Sequence, residues 1–272
     1  MKRSPLLVLF LCFLLLAVGC ANLTAAGKPS PTIDRIQKRG SVIIGTAANM
    51  PPLNMTTKKG VPAGLDIDIA QYIASAMGVQ LQLVTKNFDE LLPALEAGQL
   101  DMVISGMTIT PERNLKVAFA GPYHVTGKAF LTKSEPLAKA KDMAALNSNA
   151  FTFTALAGST SEALIKTSMP QAIYVPVKSY DEAVALVVSN KADAMISDYH
   201  ACLLALVRNP KKGLFTLITP FTYEPLGIAL PAGDGQLLNW TTNFINTMDA
   251  SGEMLNLKLK WIEKTNWIDE LP

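Results

Sequence analysis

A strand–helix alternation runs twice along this chain, and it leaves few folds open. "SVIIGT" (Ser41 to Thr46) is a short β-branched run, and "GLDIDIAQYIASAMG" sets Ile69, Ile73 and Met77 at helical spacing with Gly78 as a stop. "VQLQLV" (Val79 to Val84) alternates as a strand. Asn87 followed by Glu90 opens a helix over Phe88 to Ala97, and "LDMVISG" (Leu100 to Gly106) reads as a buried strand. The rhythm then resumes. Gly127 to Thr132 is extended, "AFTFTAL" (Ala150 to Leu156) is a strand, and "GSTSEALIKTS" starts a helix at a Ser159/Thr160 cap. Ser179 with Glu182 caps a helix over Tyr180 to Ser189, "ADAMIS" (Ala192 to Ser197) is a strand ending on Asp198, and Gln236 to Ile262 reads as one long helix. A repeated βαβαβ pattern predicts an α/β protein of two lobes, each a largely parallel sheet with helices on both faces.

The N-terminus reads as a targeting signal rather than as part of that fold. Lys2-Arg3 is a basic start, Leu6 to Val18 is apolar but short for a membrane span, and "LAVGC" closes it with small residues before Cys20. Residues 1–19 are expected to be a signal peptide, Cys20 the lipidated first mature residue, and the polar run through Pro31 a tether. Ordinary cleavage or an uncleaved anchor are the alternatives. Removing Lys2 and Arg3 leaves 22 of the 24 basic residues against 22 acidic ones, so the mature chain carries no electrostatic footprint for nucleic acid.

Metal and thiol chemistry find little material. Of three cysteines, Cys12 would leave with the signal, Cys20 would carry lipid, and Cys202 stands in the apolar run Ala201 to Val207 as a small buried hydrophobe. His124 and His200 are the only histidines, and they have no ligand spacing. No metal and no cofactor is expected.

Two charged residues stand out. In "SGMTITPERN" (Ser105 to Asn114) a helix begins at Pro111 and brings Arg113 into its first turn, where the helix dipole disfavours a cation. A surface charge and a functional one both fit. Asp198 follows a strand at the end where open α/β sheets hold ligands, and it also suits a plain N-cap of the helix from Tyr199.

The chain resembles the bacterial extracellular solute-binding proteins of family 3, the amino-acid-binding type. The resemblance rests on "RGSVIIGTAANMPPLN", "GVPAGLDIDIA", "FDELLPALEAGQLD", "GMTITPERN" and "FAGPY", followed in order by "GST" at Gly158, "YDEAVALVVSNKADAMISD" and "KWI" at Lys260. It implies a type II periplasmic binding protein, with lobe one from 32–125 and 226–272, lobe two from 126–225, and crossings near "HVTGK" and "TYEPLG". In such proteins the arginine matching Arg113 forks onto the α-carboxylate of a free amino acid. Thr108 and the backbone at Gly106 share that carboxylate with Ser159 and Thr160 from the other lobe, and the aspartate matching Asp198 takes the ammonium. Phe88 matches one aromatic wall. Met50 replaces a second aromatic lid, Ala47 stands where relatives that bind cations carry an acid, and Gly106 replaces a serine, so a small neutral or apolar amino acid is the expected ligand. The resemblance further implies a monomer outside the cytoplasm that delivers to an ABC permease in the inner membrane and catalyses nothing. A sensing domain for a membrane receptor, or a dehydratase-like enzyme on the same fold, are the alternatives; Glu162 and His200 are the nearby groups that an enzyme could use.

Overall fold

The computed structural model describes residues 30–140, 143–216 and 220–272. The signal peptide, its cleavage and the lipidation of Cys20 lie outside the described residues. The described residues begin inside the expected tether, at Ser30. Ser30 caps α1 (Pro31–Arg39), its hydroxyl donating to Asp234 Oδ2 at 2.6 Å while accepting from the Ile33 amide, and Pro31 takes the first helical position.

From there the elements follow the expected rhythm. β1 (Ser41–Thr46) leads to a small antiparallel sheet of β2 (Asn49–Met50), β3 (Asn54–Thr56) and β4 (Pro62–Ala63), which periodicity did not announce. α2 (Leu65–Met77) buries Ile69, Ile73 and Met77 along one stripe, β5 (Gln80–Thr85) follows, and α3 (Phe88–Glu96) starts at the Asn87/Glu90 capping box. Then come β6 (Met102–Val103), the four-residue α4 (Pro111–Asn114) and β7 (Val117–Thr126). The second half holds β8 (Lys128–Thr132), α5 (Glu135–Ala138), β9 (Thr152–Leu156), α6 (Thr160–Ser168), β10 (Ile173–Val177), α7 (Tyr180–Val188), β11 (Ala194–Asp198), α8 (Tyr199–Arg208) and β12 (Phe215–Thr216). β13 (Glu224–Pro231), α9 (Gly235–Ala250) and α10 (Glu253–Lys258) close the chain. The single C-terminal helix expected over 236–262 is therefore broken, because Gly252 takes a left-handed conformation between α9 and α10.

The two lobes repeat one topology. One sheet runs β5-β1-β6-β13-β7 and the other β10-β9-β11-β8-β12. In each, the three strands joined through helices are parallel, the fourth (β13 or β8) runs antiparallel to them, and the fifth (β7 or β12) pairs antiparallel with the fourth. Each sheet is thus mixed. A helix must carry the chain back to start a parallel strand, whereas β8 and β13 follow the crossings without one and run antiparallel. β7 passes into β8 through Gly127, and β13 returns beside β7 with Glu224 opposite Thr126 and Leu226 opposite His124. These paired crossing strands put residues 126–128 and 222–226 between the lobes.

Each lobe has its own apolar core. The first is built from Ile44, Ile69, Ile73, Met102, Leu226 and Leu237, and the second from Phe130, Phe153, Ile165 and Ile196. Cys202 is fully buried, and burial pushes its thiol up to about 12, so it remains an inert core residue.

Candidate functional site

Arg113 is aimed by local sequence. Thr110 is the N-cap of α4 and accepts from the Arg113 amide at 3.2 Å, while Pro111 fixes the first helical position. The short helix turns the side chain toward the space between the lobes. Nη1 donates to the Thr108 carbonyl at 2.7 Å, Nη2 donates to the Gly158 carbonyl of the other lobe at 3.0 Å, and the guanidinium carbon lies 5.7 Å from the centre of the Phe88 ring. Burial lowers its pKa to about 10, opposed by attraction to Glu224 and Asp198, so it is charged at neutral pH. Among the described residues it has no ion-pair partner.

Behind it, Gly106 is locked by a buried carboxylate. Its amide donates to Asp66 Oδ2 at 2.8 Å, and Asp66 also accepts from Asn54 Nδ2 at 2.7 Å and the Tyr123 hydroxyl at 2.8 Å. Desolvation raises the Asp66 pKa to about 7 in spite of those three donors. Gly106 has φ +57°, and a Cβ there would meet Met50 Sδ at 2.8 Å, so the absent serine hydroxyl is also a steric requirement. Met50 is buried, and its sulfur accepts from the Tyr180 hydroxyl of the second lobe at 3.4 Å.

At the other end of the cleft, Asp198 stands at the N-cap position of α8 but makes no side-chain cap. Its carboxylate turns sideways instead. Lys128 faces it across the β8–β11 ladder, and Lys128 Nζ donates to Asp198 Oδ2 at 3.0 Å. Both side chains are enclosed, at 2% exposure for Lys128 and 4% for Asp198, and Asp198 Oδ1 is buried without a partner among the described residues. Glu224 completes the group. Its Oε2 accepts from Thr108 Oγ1 at 2.9 Å in one lobe and from Thr160 Oγ1 at 2.8 Å in the other, and lies 3.7 Å from Lys128 Nζ. Oε1 accepts from Thr222 Oγ1 at 3.0 Å. Burial works to raise the Glu224 pKa, but the charge of Lys128 and the hydroxyls of Thr160, Thr108 and Thr222 hold it below the usual carboxylate value.

A model of the bacterial extracellular solute-binding proteins, family 3, matches residues 42–264. The chain belongs to that family. A relative named as the glutamine-binding protein of an ABC transporter in Bacillus subtilis (strain 168) is 29% identical to this family 3 protein over 97% of this chain and 98% of its own length. Cyclohexadienyl dehydratase of Pseudomonas aeruginosa is 23% identical, over 91% of this chain and 93% of its own. Among solved structures, the ancestral amino acid-binding protein AncCDT-1, described as a precursor of cyclohexadienyl dehydratase, superposes with a TM-score of 0.75 at 37% identity, covering 85% of this chain and 99% of its own. The relatives are mostly amino-acid-binding proteins, and the two-lobe type II periplasmic architecture is shared with them.

In this family 3 protein most of the residues singled out from sequence are linked by contacts, Arg113 with Thr108 and Phe88, Gly106 with Met50, and Thr108 through Glu224 with Thr160 and the Lys128–Asp198 pair. Arg113, Thr108, Phe88, Gly106 and Met50 come from the first lobe, and Thr160 and Asp198 from the second. Ser159 is the N-cap of α6, its hydroxyl accepting from the Glu162 amide at 3.2 Å, and so serves the helix. The hydroxyl of Thr108, expected on a ligand carboxylate, donates to Glu224, and so does that of Thr160, whose expected contribution was its amide. Sequence reasoning passed over Lys128, Glu224, Thr222 and Tyr180, and Glu224 adds a carboxylate that was not named beside Glu162. A signal was present: Lys128 and Glu224 are charges set inside otherwise apolar crossing stretches, "GKAFL" and "YEPLGIAL". A charge in such a stretch needs a partner.

Proposed function

We propose that this protein captures a free amino acid between its lobes, outside the cytoplasm, and delivers it to an ABC permease. The observation that carries this reading is the guanidinium of Arg113, half-buried between the lobes without an ion-pair partner among the described residues, with the unpartnered Asp198 Oδ1 at the far end. A planar guanidinium suits a ligand carboxylate, and an unpartnered buried carboxylate oxygen suits an ammonium. Ligand contacts to both lobes favour the closed form, the crossings at 126–128 and 222–226 serving as hinges. Lobe one is taken as 32–125 with 226–272 and lobe two as 126–225. Ala47, Met50 and Phe88 suit a small neutral or apolar side chain. The mature protein is proposed to begin at an acylated Cys20, to work as a monomer and to stay tethered to the membrane.

The dehydratase relative and the cleft carboxylate of Glu224 raise an enzymatic reading. A general acid must hold a proton at working pH, and the environment of Glu224 keeps it ionised instead. Binding is the better reading. A thermal-shift screen of the twenty common L-amino acids tests it, since a ligand at a hundred times its Kd stabilises by about 2.7 kcal/mol. No shift with any of them overturns the proposal, and turnover of a cyclohexadienyl acid in its place establishes the enzyme.

A further inference from the structure

We propose that Lys128, Asp198 and Glu224 act as one ammonium-receiving subsite with a single net negative charge, and that this count restricts the cleft to amino acids with uncharged side chains. The inference rests on the amino-acid reading above and extends it to residues that reading does not use.

Asp198 alone is an inadequate anion here. Its charge is already met by Lys128 at 3.0 Å, and both groups are almost wholly removed from water. An incoming ammonium facing only that pair would meet no net charge, and would have its hydration to lose. Glu224 changes the sum. It lies 3.7 Å from the same lysine nitrogen, so one ammonium is shared between two carboxylates and one negative charge is left over. The acceptor for the ligand is the open Asp198 Oδ1, because Glu224 Oε2 is occupied by the hydroxyls of Thr108 and Thr160. Lys128 supplies the internal cation and Glu224 the surplus charge.

The other charged neighbours preserve that count. Arg113, at the carboxylate end, contributes one positive charge and is attracted by both acids. The imidazole of His200, which feels Asp198, is pushed below its ordinary pKa by burial and is uncharged at neutral pH. The cleft as a whole then sums to zero, from Arg113 and Lys128 against Asp198 and Glu224. A zwitterion with an uncharged side chain keeps that balance. A second cation on the ligand would sit in an enclosed site that already holds two.

The charge count makes an unusual demand on mutants. Glu224→Gln keeps the size and an acceptor for both threonine hydroxyls, but brings the subsite to zero. It is expected to weaken amino-acid binding about 30-fold or more, while leaving untouched or improving the binding of the same acid with hydrogen in place of the α-amine. Adding Lys128→Met to Glu224→Gln returns the subsite to one negative charge on Asp198, and binding should recover. Lys128→Met alone leaves two negative charges and should move preference toward L-arginine. The probes are the twenty common L-amino acids and the deaminated form of the tightest binder, measured by calorimetry with circular dichroism as the folding control. A folded Glu224→Gln that binds the amino acid as the parent does overturns the inference. So does one that weakens the amino acid and its deaminated form equally, since Glu224 would then only bridge the lobes, and so does a folded double variant without recovery. If the lysine variants do not fold, the comparison of the two ligand forms on Glu224→Gln decides alone. A parent protein that binds none of the twenty removes the amino-acid reading itself, a result seen before any variant is made.

Discussion

Of the four aspartates buried among the described residues, Asp66 and Asp198, one in each lobe, have opposite surroundings. Asp66, at 0% exposure, has no cation beside it and is saturated by three neutral donors: the Asn54 amide, the Tyr123 hydroxyl and the Gly106 backbone. Asp198, at 4%, is joined to Lys128 through one oxygen and keeps the other open. Neutral donors that fill every acceptor make a fastening, and Asp66 fastens the Gly106 turn that fixes the floor of the cleft. A lysine that takes one oxygen and leaves one suits the receptor role proposed for Asp198. Burial alone therefore does not mark a binding acid, and the proposal for Asp198 rests on its unfilled acceptor beside a charge.

The contrast is broken most directly at the receptor end and at its counterpart across the cleft. Arg113→Lys and Asp198→Asn should each cost about 2 to 5 kcal/mol of ligand binding and leave the melting temperature of the ligand-free protein close to that of the parent. In Asp198→Asn, Lys128 still has Glu224 as a counter-charge. Calorimetry with circular dichroism as control measures both. A folded pair of variants that bind as the parent does would remove these residues from the site.

Asp66→Ala should show the reverse signature. It strands the Gly106 amide, the Asn54 side chain and the Tyr123 hydroxyl, and should destabilise the fold by about 2 to 4 kcal/mol. Denaturant unfolding measures that loss. If Asp66→Ala proves as stable as the parent, Asp66 is no fastening and the contrast fails.

The contrast also shows what the sequence could and could not carry. The helix of Ile69, Ile73 and Met77 and the Asn87/Glu90 cap were legible because their partners lie within a few positions. Arg113 was legible as an anomaly in its own helix turn. The Lys128–Asp198 pair was not, because it depends on the antiparallel register of two strands whose residues are 70 positions apart. Glu224 reaches Thr108 and Thr160 across 116 and 64 positions. β7 was hidden for another reason. Gly121-Pro122 reads as a turn, yet β7 lies at the edge of its sheet, where a missing amide donor is tolerated.

A smaller effect tests how closely the lobes must meet. Gly158 has φ +75°, and a Cβ there would lie 2.9 Å from Asp89 Cβ and 3.0 Å from Asp89 Cα on α3, so the opposing backbone would have to move. Gly158→Ala should weaken binding by about 1 to 2 kcal/mol. Gly40→Ala is the control, since φ is +72° with nothing within 4 Å of the added carbon. It carries the same left-handed strain in a place that touches no ligand. Equal binding losses in the two variants would show that strain alone is responsible.

The smallest effect is a pH dependence that the fastening acid should produce and that His124 should conceal. Asp66 has its pKa raised by burial from 3.8 to about 7, so the folded protein binds the extra proton between those values. Its contribution to stability is full below pH 3.8 and is lost as pH rises through 7. His124 has the opposite sign. Burial, then repulsion from His200 and Lys258, lowers it from 6.5 to about 4, so its contribution is present above pH 6.5 and is lost as pH falls toward 4. Between pH 4 and 6.5 the two slopes oppose, each at most about 1.4 kcal/mol per pH unit for one proton, and His200, also lowered by burial, adds to the His124 side, so the profile should be flatter than Asp66 alone would make it. Removing one exposes the other. His124→Gln should give a protein whose unfolding free energy falls as pH rises from 4 to 6.5, and Asp66→Asn one whose free energy rises over the same range. Denaturant titrations at half-unit pH steps measure both, and parallel profiles in the two variants would show that neither group carries the proton assigned to it.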